Sequence, residues 1–321
     1  MKFCKNLSAR RPVLLAFAIL LALSAFQPGK AAQAPEAPNR FAAALAPAER
    51  FEVNGVLVER HGTAAGRPLI LIPGLASGSW AWQGTVRAFA ATHPVYVLTL
   101  PGFDGRPAAP SQPFAAARGA VEQLIATRRL DKPVIVGHSL GGILGFAVAE
   151  DQPALLGGVV SIDGLPVMPG TEMMAPGQRA QFAESMRARV ATAAPTAFAS
   201  QQQVYMRTVG VLDMGQADEL AKLSARSDPA SVGQYVADVL NEDLRPGLER
   251  IQAPVLLIVP FHDLDDAQRG ITEDAKTGYY RALAEGVPRL RVAPVAPARH
   301  FVMIDQPQMV EGLIRDFLKA L

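Results

Sequence analysis

The 321-residue chain is half hydrophobic and 19% charged, a balance that suits a globular enzyme and excludes an intrinsically disordered protein. Its formal charge of +2 is misleading, because five of the 31 basic residues (Lys2, Lys5, Arg10, Arg11, Lys30) precede Gln33 and no acidic residue does. The remainder carries 26 basic against 29 acidic residues, a net charge of −3, so nucleic-acid binding loses its compositional support.

Residues 1–32 read as a signal peptide. A basic start is followed by the apolar run Val13 to Leu23 and then by small residues at Gly29, Ala31 and Ala32, where a signal peptidase could cut. The apolar run is shorter than the roughly 20 residues needed to cross a bilayer, so no stable membrane span is expected in the mature form. The expected location is therefore periplasmic or secreted. Cys4, the sole cysteine, leaves with this segment, and with it any disulfide, thiol chemistry or cysteine-based metal site. An Ala/Pro-rich linker over residues 33–50 follows.

From Phe51 the chain alternates strands and helices. Phe51 to Val58 reads as a strand pair. Pro68 to Ile72, Pro94 to Leu100, Pro133 to Val136, Leu156 to Ile162 and Pro254 to Val259 are short unbroken apolar runs, the mark of strands buried on both faces. Trp82 to Ala91 and Ala115 to Leu130 are helical between them. This rhythm predicts an α/β fold, a mostly parallel sheet with helices on both faces. It breaks after Ile162: residues 164–251 contain four helical patterns (178–193, 196–209, 214–227 and 231–240) and no convincing strand. The expected organisation is a core of residues 51–163 and 252–321 with a helical lid over 164–251 inserted between two strands.

The strand Val134 to Val136 runs into Gly137-His138-Ser139-Leu140-Gly141-Gly142 and then into a helix. A G-x-S-x-G run between strand and helix is a sharp turn that lifts the serine hydroxyl above the sheet, with glycines where strand and helix approach closely. The helix N-terminus behind it favours negative charge developing at that point. Ser139 is thus the candidate nucleophile. Its hydroxyl needs a base. Of five histidines, His300 alone sits in a loop between a late strand (Leu290 to Val295) and the final helix (308–321), as the chain order Ser, acid, His requires. The favoured acid is Asp263, four residues past the strand ending at Val259, with Asp163 as the main alternative and Asp265 and Asp266 as close rivals. Two backbone amides, those of Leu75 and Leu140, are placed to form an oxyanion hole.

Taken together, Pro73-Gly74 with Trp80 downstream, Leu100-Pro101-Gly102-Phe103, Gly137 to Gly142, Asp263 and His300 to Pro307 resemble the esterase-like, lid-bearing branch of the α/β-hydrolases. The resemblance runs from about Phe51 to the C-terminus and implies an eight-stranded-type sheet, a Ser-His-Asp triad and no cofactor or metal. It departs from the family at two places: Pro73-Gly74 stands where His-Gly is common, and Pro260 stands where a glycine commonly precedes the acid. The serine nucleophile separates the chain from the dehalogenases and epoxide hydrolases of this fold, which use an aspartate.

The function expected is hydrolysis of a small-molecule ester through an acyl-enzyme. An aminopeptidase or acyltransferase on the same fold, and a non-catalytic binder that kept it, remain alternatives. Glu184, Asp218 and Glu219 are the carboxylates that could hold an aminopeptidase substrate's amine. Met168, Met173, Met174, Met186, Met206 and Met214, with Phe182, Phe198 and Tyr205, either line an adaptable acyl pocket or pack the lid on the core.

Overall fold

The computed structural model describes residues 39–42 and 45–321. The signal peptide expected over 1–32 lies outside the described residues, as do residues 33–38, 43 and 44 of the linker expected over 33–50, whose last two residues belong to the first strand.

In chain order the elements are β1 (Glu49–Val53), β2 (Val56–His61), β3 (Leu69–Ile72), α1 (Gln83–Phe89), β4 (Val95–Thr99), α2 (Pro113–Arg128), β5 (Val134–His138), α3 (Leu140–Asp151) and β6 (Gly158–Ile162). The insertion that follows holds α4 (Pro176–Ala191), α5 (Pro195–Tyr205), a π-helical turn (Met206–Gly210), α6 (Met214–Ser224) and α7 (Pro229–Asn241). The chain then returns through β7 (Val255–Pro260), α8 (Asp263–Ala267), α9 (Glu273–Leu283), β8 (Leu290–Val295), α10 (Val302–Asp305) and α11 (Pro307–Lys319). Proline opens α2, α4, α5, α7 and α11, where its missing N–H costs nothing and its fixed φ suits the first helical turn. Asp213, Asp228 and Thr272 cap α6, α7 and α9 by accepting from the backbone amide three residues on.

The eight strands form one sheet in the order β1-β2-β4-β3-β5-β6-β7-β8. The β1–β2 and β2–β4 pairs are antiparallel, and every other pair is parallel. The central strands are apolar because both sheet faces are covered. Along β3, Ile70 and Ile72 enter the core beneath α2 and α3, while Leu69 and Leu71 enter the one beneath α1 and α11. Strand order reverses between β3 and β5, so a crevice opens outside their carboxyl ends, where ligands bind in open α/β sheets.

The sequence reading locates all eight strands to within a few residues. It misses α8, α9 and α10, and it runs the second helix of the insertion on to Val209, where residues 206–210 form a π-turn instead. The insertion between β6 and β7 is helical apart from a single bridge, Val167 to Asp243. Within it α4 packs on α7 through Ala183, Met186, Val236, Ala237 and Leu240. Among the described residues no helix is long and apolar enough to cross a membrane.

Candidate active site

Ser139 stands between β5 and α3 at φ 50° and ψ −115°, a conformation that a residue with a Cβ adopts only under constraint. Such strain costs roughly 1–3 kcal/mol and persists only where the surroundings over-determine it. Here they do. The Ser139 amide donates to the Ile162 carbonyl of the next strand (2.9 Å), and its carbonyl accepts from the Gly142 and Ile143 amides at 2.9 and 3.1 Å. A side chain at Gly137 would strike the Gly141 carbonyl, and one at Gly141 would strike the Ile72 carbonyl. The glycines of the motif are therefore required by contact between β5, α3 and β3.

The loop after β3 closes on the same point. A Cβ on Gly74 would come within 3.2 Å of the Ser139 Cβ, which places Gly74 and Leu75 beside the serine. Among the described residues no acceptor takes the Leu75 amide. Leu140 opens α3, where the first amides have no intrahelical acceptor. Both amides named from the sequence are thus free to donate at the elbow.

His300 reaches the elbow through its neighbours. The buried His138 donates from Nε2 to the His300 carbonyl (2.9 Å), and the two imidazoles lie with ring centroids 4.5 Å apart. Phe301 packs against His138 at the same centroid distance. Burial, and then the nearness of His300, push the pKa of His138 well below the usual histidine range. It is therefore neutral, with its proton on Nε2 and a bare Nδ1 facing Gly74. Its work is structural: it ties the His300 loop to the turn that carries Ser139. The Ser139 hydroxyl has no hydrogen-bond partner among the described residues, an arrangement common where the bond to the base tightens only around substrate.

The acid beside His300 is Asp163. The His300 Nδ1–H donates to Asp163 Oδ2 at 2.5 Å, with both side chains buried. Asp163 directly follows β6 as Ser139 directly follows β5, and it too holds a positive φ of 50°. Its other oxygen accepts from the buried Tyr280 hydroxyl at 2.5 Å. Burial, then the Asp163 charge, raise the pKa of that phenol well above its ordinary range and keep it a donor. With Nδ1 committed to Asp163, the His300 Nε2 has no hydrogen-bond partner among the described residues.

Asp263, the acid favoured from the sequence, is not brought to His300. It is exposed in the first turn of α8, and the chain after β7 explains why. Leaving Pro260, the backbone turns at once into α8 and spends its carboxylates there. Asp265 accepts from His262 Nδ1 (2.9 Å) and from Arg299, while the buried Asp266 accepts from the His262 amide (3.0 Å) and from Lys276 (3.1 Å). Among the described residues no group of three or more His, Cys, Asp or Glu is arranged to hold a metal ion.

Tyr280 escaped the sequence reading, and Tyr205, named there only as a pocket or packing residue, stands beside His300. Tyr205 ends α5 with its ring edge-on to His300, centroids 6.1 Å apart. Burial, then Asp163, raise its pKa above the phenol range. Tyr280 was findable: Thr272 followed by Glu273-Asp274 is a helix-start signature, and the helix it opens carries Tyr280 on its buried side. Of the residues named for the insertion, Met186, Met206 and Phe198 are buried, while Met173, Met214 and Phe182 are exposed. Met168 and Leu75 pack against the α4–α7 cluster of Ala183, Met186, Val236, Ala237 and Leu240, which puts apolar side chains beside the loop after β3. Glu184, Asp218 and Glu219 pair with Arg187, Arg207 and Arg40 respectively.

The model of the alpha/beta hydrolase family matches residues 69–312. The chain is 25% identical over 270 residues to the RutD protein of Azorhizobium caulinodans, provisionally named a carbamate hydrolase, covering 81% of this chain and 93% of that one. It is also 25% identical over 264 residues to the biotin biosynthesis bifunctional protein BioHC of Cellvibrio japonicus, but there it spans 79% of this chain and only 48% of the relative. A solved thermophilic esterase from Thermogutta terrifontis superposes with a TM-score of 0.69 at 18% identity, over 85% of this chain and 99% of that one.

Proposed function

Because the chain belongs to the alpha/beta hydrolase family, we propose that it is a serine hydrolase of carboxylic esters, with Ser139, His300 and Asp163 as its working groups. The observation that carries this reading is the buried Asp163–His300 hydrogen bond at 2.5 Å, standing beside a serine locked at positive φ on the strand-to-helix turn.

His300 Nε2 takes the Ser139 proton as the hydroxyl oxygen attacks the ester carbonyl. The Leu75 and Leu140 amides hold the oxyanion, and the dipole of α3 supports it. Asp163 keeps the imidazole in the tautomer that can accept this proton and stabilises the imidazolium that results. Tyr280 in turn fixes Asp163. Collapse of the tetrahedral intermediate breaks the C–O bond to the leaving alkoxide, which takes the proton from His300. Water then repeats the sequence on the acyl-enzyme and releases the acid.

The insertion acts as the lid, and the apolar side chains of Leu75, Met168 and Met186 suit an acyl or alkyl group. Its carboxylates do not favour an aminopeptidase, since each nominated one is already engaged with an arginine. Export through the segment 1–32 is part of the same proposal. An N-terminal sequence of the secreted or periplasmic protein beginning near Gln33 supports it, and an uncleaved cytoplasmic product contradicts it.

Turnover of p-nitrophenyl acetate tests the reading. Ser139→Ala is expected to lose at least about four orders of magnitude in kcat with the thermal melt unchanged. Retention of most of the activity rejects Ser139 as nucleophile.

A further inference from the structure

The loop that carries His300 is held from one side by a single guanidinium. Arg299 donates from Nε to Asp265 Oδ2 (2.6 Å) and from one terminal nitrogen to Asp265 Oδ1 (3.1 Å). Its other terminal nitrogen donates to two carbonyls of the insertion, that of Arg207 within the π-turn (2.8 Å) and that of Val211 just after it (3.0 Å). The backbone repeats the connection. The His300 amide donates to the Val209 carbonyl (3.1 Å) and the Phe301 amide to the Gly210 carbonyl (2.9 Å). Asp305 bridges the same two segments, accepting from the Leu212 amide at 2.9 Å and the Arg299 amide at 2.8 Å.

The result is a three-way junction. It joins the His300 loop, the insertion at residues 207–212, and the start of α8 at Asp265, which His262 also holds. A π-turn spends its carbonyls irregularly, and here those carbonyls are what Arg299 and the His300 backbone read. The side chain of Arg299 is 15% exposed, so these bonds form largely out of water, where a planar five-donor group has no equal substitute.

We propose that Arg299 is a positioning residue for His300: by clamping the base loop to Asp265 and to the π-turn, it makes the lid and the catalytic base one mechanical unit. The inference rests on the proposed role of His300, and it goes further by placing control of that base in residues that touch neither substrate nor Ser139. A displacement of the base by a fraction of an ångström is enough to slow chemistry, since a 1 Å misplacement costs about a hundredfold.

The test uses the full chain with p-nitrophenyl acetate and a fluorophosphonate probe. Arg299→Ala is expected to lower kcat by roughly ten- to a hundredfold, with KM within about twofold. Guanidinium ion, far below unfolding concentrations, should restore part of that kcat where equal sodium chloride does not. Asp265→Asn, which leaves Arg299 its two carbonyl partners, serves if Arg299→Ala fails to fold, and should lower kcat less while again sparing KM. A wild type that reacts with the probe at Ser139, with variants that turn over as fast, overturns the clamp alone. So does a kcat loss that guanidinium cannot restore. A wild type inert to both reagents overturns the hydrolase reading and the clamp with it.

Discussion

Ser139 and Asp163 directly follow adjacent strands of the sheet, β5 and β6, whereas His300 stands in a loop beyond β8, held by the insertion, α8 and His138. The first pair is fixed by chain continuity with strands that are buried along their whole length. Both residues take positive φ, and both are bonded into the next strand: Ser139 N–H to Ile162, Asp163 N–H to Ile258. The histidine owes its place to hydrogen bonds from segments remote in sequence. Damage should therefore be abrupt on the sheet side, where one group is the chemistry, and graded on the loop side, where several bonds share the task.

The sharpest break of this comparison is at the acid. Asp163→Asn should lower kcat toward p-nitrophenyl acetate by about three to four orders of magnitude, because the amide favours the wrong imidazole tautomer. Asp263→Asn should change kcat by less than about twofold, as expected for an exposed carboxylate without a role in the site. The reverse ranking restores the acid position read from the sequence. A milder effect is expected at Tyr280. Replacing it by Phe removes one of the two donors to Asp163 and should lower kcat by about three- to tenfold, in line with roughly 1 kcal/mol for a hydrogen bond. An unchanged kcat would show that His300 alone holds Asp163 in place.

The smallest expected effect concerns stability. Asp104 lies in the loop after β4, beside Arg226 of the insertion, and burial pushes its carboxyl up to about 6 despite that arginine. A carboxyl whose folded pKa lies above its unfolded value binds its proton more tightly in the folded protein. Its contribution to stability is therefore full below about pH 4 and is lost as pH rises through about 6. Asp104→Asn should stabilise the protein by about 1–2 kcal/mol at pH 8 and leave it nearly unchanged at pH 4. Thermal melts at the two pH values check this, and equal shifts at both would contradict it.

What could be read from the sequence follows the same division. The strands were legible because a strand buried on both faces must be an apolar run, and Leu69 to Ile72 or Val255 to Val259 can hardly be anything else. The elbow was legible because its glycines answer to local backbone contacts that appear as spacing. The acid was not. After each of β6 and β7 the sequence offers aspartates, and only the three-dimensional course of the chain separates them. Asp163 turns toward His300 at positive φ, while the acids after β7 are taken up by His262, Lys276 and Arg299 at the start of α8. Arg299 likewise had no signature, since it pairs with Asp265, 34 residues away, and with backbone carbonyls in and just after a π-turn about ninety residues away.

The central claim is that Ser139 is a nucleophile activated through His300. Labelling of the intact protein with a fluorophosphonate, with the adduct located by peptide mass, tests it most directly. The account predicts one adduct per chain, on Ser139, absent in Ser139→Ala and formed at least about a hundredfold more slowly in His300→Ala. An adduct elsewhere, or equal labelling of the His300 variant, would contradict it.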